Sequence, residues 1–432
     1  MTEAITSDSS SRDLARCMPN DTPSKLLIAA LIIVFAFGVL IRIYPTTNHS
    51  PSDKVDRIHP NKTQIGFDEE CYRHYLMTLD AKGLTGYPAV ARAYVTLQPE
   101  LPFAILPPMR LTFLGIAYLW HVTTKASPLV SLHAVSCLFT VLAFAVAGLF
   151  AWRLGDLTSA LGITALMSCA PLQIQLAQRA YIDGIFAFWT ILTLWLLWEN
   201  LRAPRHYGLL AAYAGSLALM VMTKENAAFV FAAIIGLIVL NQWIHFGKAT
   251  PALLVATCIG PLLGLVGLIV AAGGINTLID VYRLNVEKSN VLPYAIATGD
   301  GPWFRYAFDL LLISPVVTLA AIAGFLNIRR GDKASAYLAL FIGFTYFIMA
   351  NVKYGMNLRY TSIWDMPLRW LAFGQLAAVA ATMPRRFGRS FIIFSVVLLC
   401  SLDLHHYFLF FAQNGLYDPI PESMLRILNI LK

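Results

Sequence analysis

The sequence predicts an all-helical integral membrane protein with about eleven transmembrane helices. Of its 432 residues, 58% are apolar and only 13% are charged, whereas soluble domains contain about 25% charged residues. The apolar residues also form long runs, many of them close to the roughly 20 residues that a helix needs to cross a bilayer. A soluble fold is therefore excluded, because so few charges cannot cover so much apolar surface.

The first apolar run extends from Leu26 to Tyr44 and follows a polar segment that contains Arg12, Arg16 and Lys25. Basic residues before a span favour a cytoplasmic N-terminus. The run is longer than the apolar core of a signal peptide, and no small-residue cleavage site follows it. It therefore predicts an uncleaved first transmembrane helix.

Ten further apolar runs predict the remaining spans. They cover residues 128–152, 157–177, 184–201, 207–223, 226–244, 251–271, 306–328, 334–350, 363–382 and 391–411. A shorter run from Pro107 to His121 is interrupted by Arg110. Its length favours a helix that lies in the membrane interface over one that spans the bilayer.

The distribution of basic residues supports this interpretation, because every later loop would change sides if the run from Pro107 to His121 crossed. Without that crossing, the loops on one side carry Arg153, Arg202, Arg205, Lys248, Arg329, Arg330, Lys333, Arg385, Arg386 and Arg389. The short loops on the other side carry Arg179, Lys224, Lys353 and Arg359. The richer side is expected to be cytoplasmic, which places the C-terminus outward. The net charge of +8 fits such loops, and the absence of a basic stripe interleaved with aromatic residues excludes a nucleic-acid surface.

This topology leaves two long outward loops, at about 45–127 and 272–305, and the first is expected to contain juxtamembrane helices. Both loops are too apolar to form separate domains, so residues 1–432 are predicted to form a single integral-membrane unit. Four of the six cysteines lie within apolar runs and no CxxC pair occurs. The sequence therefore indicates neither a disulfide framework nor a thiolate metal site.

Four groups of charged residues are predicted at the outward ends of spans. They are Asp68-Glu69-Glu70, Arg179 with Asp183, Lys224-Glu225, and Lys353 with Arg359. Because charges within a bilayer are costly, a shared hydrated pocket is the simplest explanation for them. Simpler local alternatives stay open: lysines and arginines at helix ends extend towards water, Arg179 and Asp183 are spaced as an i,i+4 helical pair, and acids in a first turn stabilise a helix N-terminus.

Two further patterns carry little weight. Asp403 and His406 would share a helical face, but the adjacent His405 points elsewhere and no fourth ligand is apparent, so a metal site is not favoured there. The N-glycosylation sequons at Asn48 and Asn61 are short enough to occur by chance.

The order of these charged elements resembles that of the GT-C glycosyltransferases, the polytopic superfamily that includes dolichyl-phosphate-mannose protein mannosyltransferases and lipid A aminoarabinose transferases. The resemblance covers most of the first 230 residues and parts of the rest. Five elements match in the family's order: Asp68-Glu69 with Tyr72, Leu106–Arg110, Gln178–Gly184, Met222–Glu225, and Asn357–Tyr360 followed by Pro367.

One element departs from the family pattern. Several members have a Lys or His just before the Pro of the second element, where it can meet the lipid phosphate, and this chain has Pro107 there. Arg110 is expected to supply that charge instead. The departure also indicates that the acceptor of this protein can belong to a different class from the acceptors of those family members.

The resemblance implies a GT-C helical bundle that transfers a sugar from a polyprenyl-phosphate-linked donor to an acceptor hydroxyl, with inversion at the anomeric carbon. Asp68 is the expected general base, and Glu69 is expected to orient the acceptor or to pair with a cation. The expected donor-phosphate ligands are Arg359, Lys224, Arg179 and Arg110. The expected supporting residues are Tyr72, Asp183, Glu225 and Tyr360. Asp183 is expected to hold Arg179 or to help bind a divalent ion, although the sequence requires no cofactor.

Two other classes remain as alternatives. A secondary transporter or lipid flippase could use outward charges to gate a pathway, but such proteins often have two related halves with broken helices at mid-membrane. A scaffold or receptor without chemistry is the third class. The lack of a large C-terminal domain favours a lipid or small glycan over a folded protein as acceptor. A bacterial inner membrane is favoured over the endoplasmic reticulum.

Overall fold

A computed structural model of the protein describes residues 25–44, 66–204, 206–291, 296, 299–353 and 355–416. These residues form helices and connecting loops, and none of them forms a strand. The helices are α1 (Lys25–Ile43), α2 (Phe67–Lys82), α3 (Tyr87–Leu97), α4 (Leu111–Thr124), α5 (Pro128–Leu154), α6 (Leu157–Ser168), α7 (Pro171–Ala177), α8 (Asp183–Arg202), α9 (Tyr207–Val221), α10 (Ala227–Ile244), α11 (Pro251–Ala272), α12 (Ile275–Val291), α13 (Arg305–Ile313), α14 (Pro315–Leu326), α15 (Lys333–Met349), α16 (Asp365–Ala381) and α17 (Arg385–His406). Two short 3₁₀ segments, Leu84–Gly86 and Leu358–Trp364, and a π-helical turn, Tyr407–Gln413, complete the helical structure of this part of the chain.

The described helices agree with the predicted spans in position but not always in length. Within the described residues, six helices are long and apolar enough to cross a bilayer: α1, α5, α8, α10, α11, and α17 with its π-helical extension. Helices α9, α14 and α15 are apolar but shorter. The all-helical fold class is confirmed, and the number of eleven spans stays a prediction.

Two runs that were predicted as continuous spans are broken. Residues 157–177 divide into α6 and α7, which meet at an angle of 64°, and residues 306–328 divide into α13 and α14. Pro171 and Pro315 begin the second helix of each pair. Proline has no backbone N–H for the preceding turn, which explains why each helix stops there.

The loop predicted at 45–127 contains helices α2, α3 and α4, as expected. Tyr72 of α2 and Phe113 of α4 pack with their ring centroids 5.2 Å apart, and Asp80 and His121, farther along the same two helices, lie within 3.1 Å. Helix α4 therefore packs alongside α2. The interpretation of the run from Pro107 to His121 as interfacial stays a prediction. The sequons at Asn48 and Asn61 and the basic segment before Lys25 lie outside the described residues.

The break between α6 and α7 is held by two buried arginines. Arg42 donates to the carbonyl oxygens of Met167 at 2.8 Å and Ser168 at 3.2 Å, and Arg369 donates to the carbonyl of Leu166 at 3.0 Å. Because backbone groups freed within a membrane need replacement partners, these guanidinium groups stabilise the bend. The bend directs α7 towards the loop that begins α8.

The helices next to the loop that begins α8 are closely packed. Helix α5 packs against α6 and α8, and α9 packs against α11. At Gly264 of α11, an added Cβ would lie 2.6 Å from the carbonyl oxygen of Ala218 in α9. Only glycine permits this approach, which is typical of close helix pairs in membranes. Helix α9 is thereby fixed at the end that leads into Lys224.

Candidate active site

Charged residues from five separate segments meet at one end of the bundle. The segments are the first turn of α2, the residue before α4, the connection from α7 to α8, the loop between α9 and α10, and the 3₁₀ segment Leu358–Trp364. We call their charged residues the ion-pair cluster: Asp68, Glu69, Arg110, Arg179, Asp183, Lys224, Glu225 and Arg359. It contains four cations and four carboxylates, so its formal charges cancel.

Four members of the cluster form a continuous row. Arg359 contacts Asp68 at 2.7 Å through Nη2 and Asp183 at 3.4 Å through Nη1. The other oxygen of Asp183 accepts a hydrogen bond from Lys224 Nζ at 2.5 Å. The side chain of Asp68 is 13% exposed and that of Asp183 only 1%. Asp68 is therefore the carboxylate of this row that a substrate can reach.

Glu69 is enclosed by hydrogen-bond donors. Arg179 donates to both of its oxygens, at 3.0 and 2.6 Å, and the backbone N–H groups of Gly66 and Ala180 each donate at 2.8 Å. His133 Nε2 lies 3.2 Å from the same carboxylate. With these contacts and 1% exposure, Glu69 is paired with a cation and is closed to an acceptor.

The pairing of Asp183 differs from the expected one. Arg179 and Asp183 have the i,i+4 spacing of a local helical pair, but Arg179 bonds Glu69 while Asp183 bonds Lys224 and Arg359. The reason is that α7 ends at Ala177 and α8 begins at Asp183. The two side chains therefore do not share a helical face, and the interpretation as a local pair is wrong.

Arg110 and Glu225 form the outer edge of the cluster. The two terminal nitrogens of Arg110, Nη1 and Nη2, contact the carboxylate of Glu225, with Nη2 to Oε1 at 2.9 Å. This two-point geometry joins the start of α4 to the loop between α9 and α10. Arg110 thus lies within the cluster, as the sequence predicts, with its charge engaged by Glu225.

Two aromatic rings hold the cations in place. The guanidinium carbons of Arg179 and Arg359 lie 5.4 and 4.5 Å from the centroid of the Tyr181 ring. Lys224 Nζ lies 3.7 Å from the centroid of Tyr360. Cations are attracted to the faces of aromatic rings. The ring of Tyr181 therefore stabilises the two positive charges of Arg179 and Arg359. Tyr72, also an expected site residue, is buried against α4 at 2% exposure.

The environment shifts the pKa values of groups in this site. Burial on its own would raise the pKa of Glu69, but the hydrogen bond from His133 and the charge of Arg179 outweigh it and hold that pKa well below its usual range. Burial lowers the pKa of Lys224, and the charges of Asp183 and Glu225 oppose this effect. Burial raises the pKa of Tyr72 and of Tyr360. Glu69 is therefore an anion and both phenols are neutral at physiological pH.

The sequence analysis missed two residues of the site. His133 lies in a long apolar run with no charged neighbour that would mark it. Tyr181 lies within Gln178–Gly184, one of the five elements that resemble the GT-C pattern, but the resemblance assigns no function to it. The only sequence signal for His133 is that a histidine lies near the predicted outward end of a span. Lys353, which the sequence groups with Arg359, is exposed.

The sequence does not favour a metal site at Asp403 and His406. Asp403 accepts a hydrogen bond from Arg369 at 2.8 Å. Within the part of the chain that the structure describes, no three His, Cys, Asp or Glu side chains lie together in a way that could hold a metal ion.

Replacing Glu69 with Gln should destabilise the protein by about 3–5 kcal/mol, because it leaves the buried charge of Arg179 unpaired and places an amide N–H₂ among donors. Thermal unfolding in detergent, followed by tryptophan fluorescence, measures the change. Glu70→Gln is the matched control, since Glu70 is exposed and pairs only with its helix neighbour Arg73 in the contacts described. Equal stability of the two variants would contradict the role assigned to Glu69.

Several long apolar helices indicate a multi-pass membrane protein, and the structural matches show that its fold is that of GT-C membrane enzymes. The apo crystal structure of the oligosaccharyltransferase from Archaeoglobus fulgidus matches it with a TM-score of 0.57 at 13% identity, covering 90% of this chain and 55% of that one. The same enzyme in complex with an inhibitory peptide and a dolichol-phosphate gives 0.54 at 12% identity, covering 89% and 55%. The present chain thus spans about half the length of that archaeal enzyme.

The sequence comparison is consistent with this class. Residues 107–270 match the family model of dolichyl-phosphate-mannose-protein mannosyltransferase, and no curated protein sequence matches the chain. ArnT from Cupriavidus metallidurans bound to undecaprenyl phosphate gives a TM-score of 0.45 at 12% identity, covering 89% of this chain and 75% of that one. The resemblance to the GT-C glycosyltransferases expected from the sequence is confirmed by the family model and the fold.

Proposed function

We propose that this protein is a membrane glycosyltransferase that moves a sugar from a polyprenyl-phosphate-linked donor to an acceptor hydroxyl, with inversion at the anomeric carbon. The observation that carries the proposal is the row Asp68–Arg359–Asp183–Lys224, in which an accessible carboxylate adjoins cations from two other segments. Transfer from a phosphate-linked sugar needs these two kinds of group, a base for the acceptor and cations for the phosphate.

In the proposed reaction, Asp68 accepts the proton of the acceptor hydroxyl as the acceptor oxygen attacks the anomeric carbon. The bond between that carbon and the phosphate oxygen breaks, and its electron pair stays on the phosphate. The products are the glycosylated acceptor and polyprenyl phosphate. Arg359, Lys224, Arg179 and Arg110 neutralise the charge that grows on the departing phosphate, because guanidinium and ammonium groups bind phosphate oxygens strongly.

Because Asp68 is paired with Arg359, binding of the donor phosphate also changes the contacts of the proposed base. At 2.7 Å the Nη2 group of Arg359 occupies an oxygen of the Asp68 carboxylate that the acceptor hydroxyl would otherwise approach. A donor phosphate that takes the Nη2 group of Arg359 releases Asp68 to accept a proton. Arg359 remains positioned by Asp183 and by the ring of Tyr181 during this exchange.

The remaining members of the cluster support this arrangement. Glu69, fixed by Gly66 and His133, holds Arg179 at the site. Glu225 holds Arg110 in the same way. Tyr360 supports Lys224 through its ring face, and Tyr72 supports the start of α4 through Phe113. A divalent ion at Asp183 stays compatible with the proposal and is tested below.

The proposed site lies on the outward face of a bacterial inner membrane, with the N-terminus cytoplasmic and the C-terminus outward. The distribution of basic residues among the loops supports this orientation. A lipid or a small glycan is the proposed acceptor, and a peptide is the alternative to be tested.

The proposal is tested with the full-length protein in liposomes. Labelled hexose and pentose donors on undecaprenyl or dolichyl phosphate are supplied with either a total membrane-lipid extract or a peptide pool, with and without a chelator. We expect labelled acceptor and free polyprenyl phosphate in equal amounts. Transport of intact labelled lipid across the bilayer without product would identify a flippase instead, and neither product nor transport would contradict both.

A further inference from the structure

One buried side chain connects the two segments that carry Arg179 and Arg359. Gln173, on α7, donates from Nε2 to the carbonyl oxygen of Ser362 at 3.1 Å and to Asp365 Oδ2 at 2.8 Å. Ser362 belongs to the 3₁₀ segment Leu358–Trp364, and Gln173 is 1% exposed. Gln173 therefore joins α7 to the 3₁₀ segment in the interior of the bundle.

This contact requires a side chain with two N–H donors, which the amide of Gln173 supplies. Both partners of Gln173 are acceptors, a carbonyl and a carboxylate, so the residue that joins them must supply two N–H groups. Glutamate would place a third acceptor there, and an apolar residue would leave the buried carbonyl and carboxylate without these donors, at a cost in stability.

Asp365, the carboxylate that Gln173 contacts, is itself fixed. Arg369 donates to Asp365 Oδ1 at 2.6 Å, to Asp403 Oδ2 at 2.8 Å and to the carbonyl of Leu166 at 3.0 Å. Arg369 thereby joins α16 to α17 and to the end of α6. Gln173 consequently ties the 3₁₀ segment to a rigid part of the bundle.

The contact lies a short distance along the chain from both arginines. Arg359 precedes Ser362 by three residues, and Arg179 follows Gln173 by six. Short 3₁₀ segments have poor internal hydrogen-bond geometry and depend on their surroundings. Both guanidinium groups also lie against one ring, that of Tyr181, so a shift of either segment changes their separation.

We propose that Gln173 is a positioning residue that sets the separation of Arg179 and Arg359 and thereby the affinity of the site for the phosphate of the lipid-linked donor. The inference rests on the proposed function for the identity of that ligand. The hydrogen bonds from α7 to the 3₁₀ segment, in contrast, are independent of any ligand.

The test compares Gln173→Met with Thr193→Val in the full-length protein. Methionine has a similar length and volume but cannot donate a hydrogen bond. Thr193→Val removes another buried hydrogen bond between helices, from Thr193 to Ser216 at 3.0 Å, at a position about 15 Å along α8 from Asp183. Two quantities are measured: the affinity for undecaprenyl or dolichyl phosphate, and the hydrogen exchange of peptides that cover residues 178–182 and 358–364.

We expect Gln173→Met to weaken polyprenyl phosphate binding about tenfold, since small misplacements of binding groups have effects of this size or larger. It should raise the donor KM more than it lowers kcat, and it should speed exchange in both peptides. Thr193→Val should lower thermal stability without these changes. Equal effects of the two variants on binding, or unchanged exchange in Gln173→Met, would overturn the inference. Absence of polyprenyl phosphate binding by the wild type would instead refute the proposed function, and exchange would then decide the positioning role.

Discussion

Replacing Asp68 with Asn is expected to lower the rate of sugar transfer by about 10³- to 10⁴-fold, the upper range for loss of a general base. Asparagine has nearly the same shape but cannot accept the proton of the acceptor hydroxyl at physiological pH. The amide also removes the negative charge that Arg359 faces at 2.7 Å. Arg359 is then freer to bind phosphate, so the variant should bind the donor at least as tightly as the wild type.

This combination of effects separates catalysis from folding. Initial rates of labelled-product formation are measured beside the affinity for the lipid-linked donor, with Glu70→Gln as the control. Glu70 lies two residues from Asp68 in the same helix turn, and its side chain is 50% exposed and bonded to Arg73. Its variant should transfer sugar at the wild-type rate. Transfer by Asp68→Asn at near that rate would remove Asp68 from the role of base.

The fold was largely predictable because membrane spans follow from local composition. Apolar runs of sufficient length predicted helices at the observed positions, and the short run that Arg110 interrupts contains a separate helix, α4. The breaks at Pro171 and Pro315 do not follow from hydropathy, because the apolar composition continues across both prolines. The bend of 64° between α6 and α7 further depends on Arg42 and Arg369, which are distant in sequence.

The candidate site was predictable in membership but not in pairing. All ten expected residues lie at or beside the ion-pair cluster, because few charges are tolerated near a membrane and those that occur tend to collect. Which cation meets which carboxylate depends on contacts across the chain: Asp68 and Arg359 are 291 residues apart. Local spacing suggested that Arg179 pairs with Asp183, and tertiary structure placed each with another partner. The only local signal for His133 is its place near one end of a predicted span, and its role in the site depends on its contact with Glu69.

Because the formal charges of the cluster cancel, we expect the loss of a single cation to weaken phosphate binding strongly. With four cations matched by four carboxylates, the site has no surplus positive charge with which to hold a phosphate. A phosphate can be bound only when a cation exchanges partners. Lys224 and Arg179 contact carboxylates that are 1% exposed, whereas Arg359 contacts Asp68, which is 13% exposed, and Arg110 contacts Glu225, which is 34% exposed. Within the row that contains Asp68, Arg359 is therefore the cation that can exchange most easily.

Replacing Arg359 with Ala should weaken donor binding by about 10²-fold or more, because removal of one group that is paired with buried charge costs several kcal/mol. Asp68 and Asp183 would also lose the cation between them, and their mutual repulsion would oppose binding of another anion. The affinity for polyprenyl phosphate and the donor KM measure the effect. Arg73→Ala is the control, since Arg73 bonds the exposed Glu70 on the same helix.

Arg359→Lys distinguishes the geometry of this group from its charge. The guanidinium of Arg359 reaches Asp68 with one nitrogen and Asp183 with the other, and a single ammonium on a shorter, unforked end cannot serve both positions. We expect the lysine variant to keep the fold and to bind the donor more tightly than the alanine variant but well below the wild type. If lysine restored wild-type affinity, charge would suffice and the proposed exchange of Arg359 from Asp68 to phosphate would lose its structural basis. If alanine left donor affinity unchanged, Arg359 would lie outside the phosphate site.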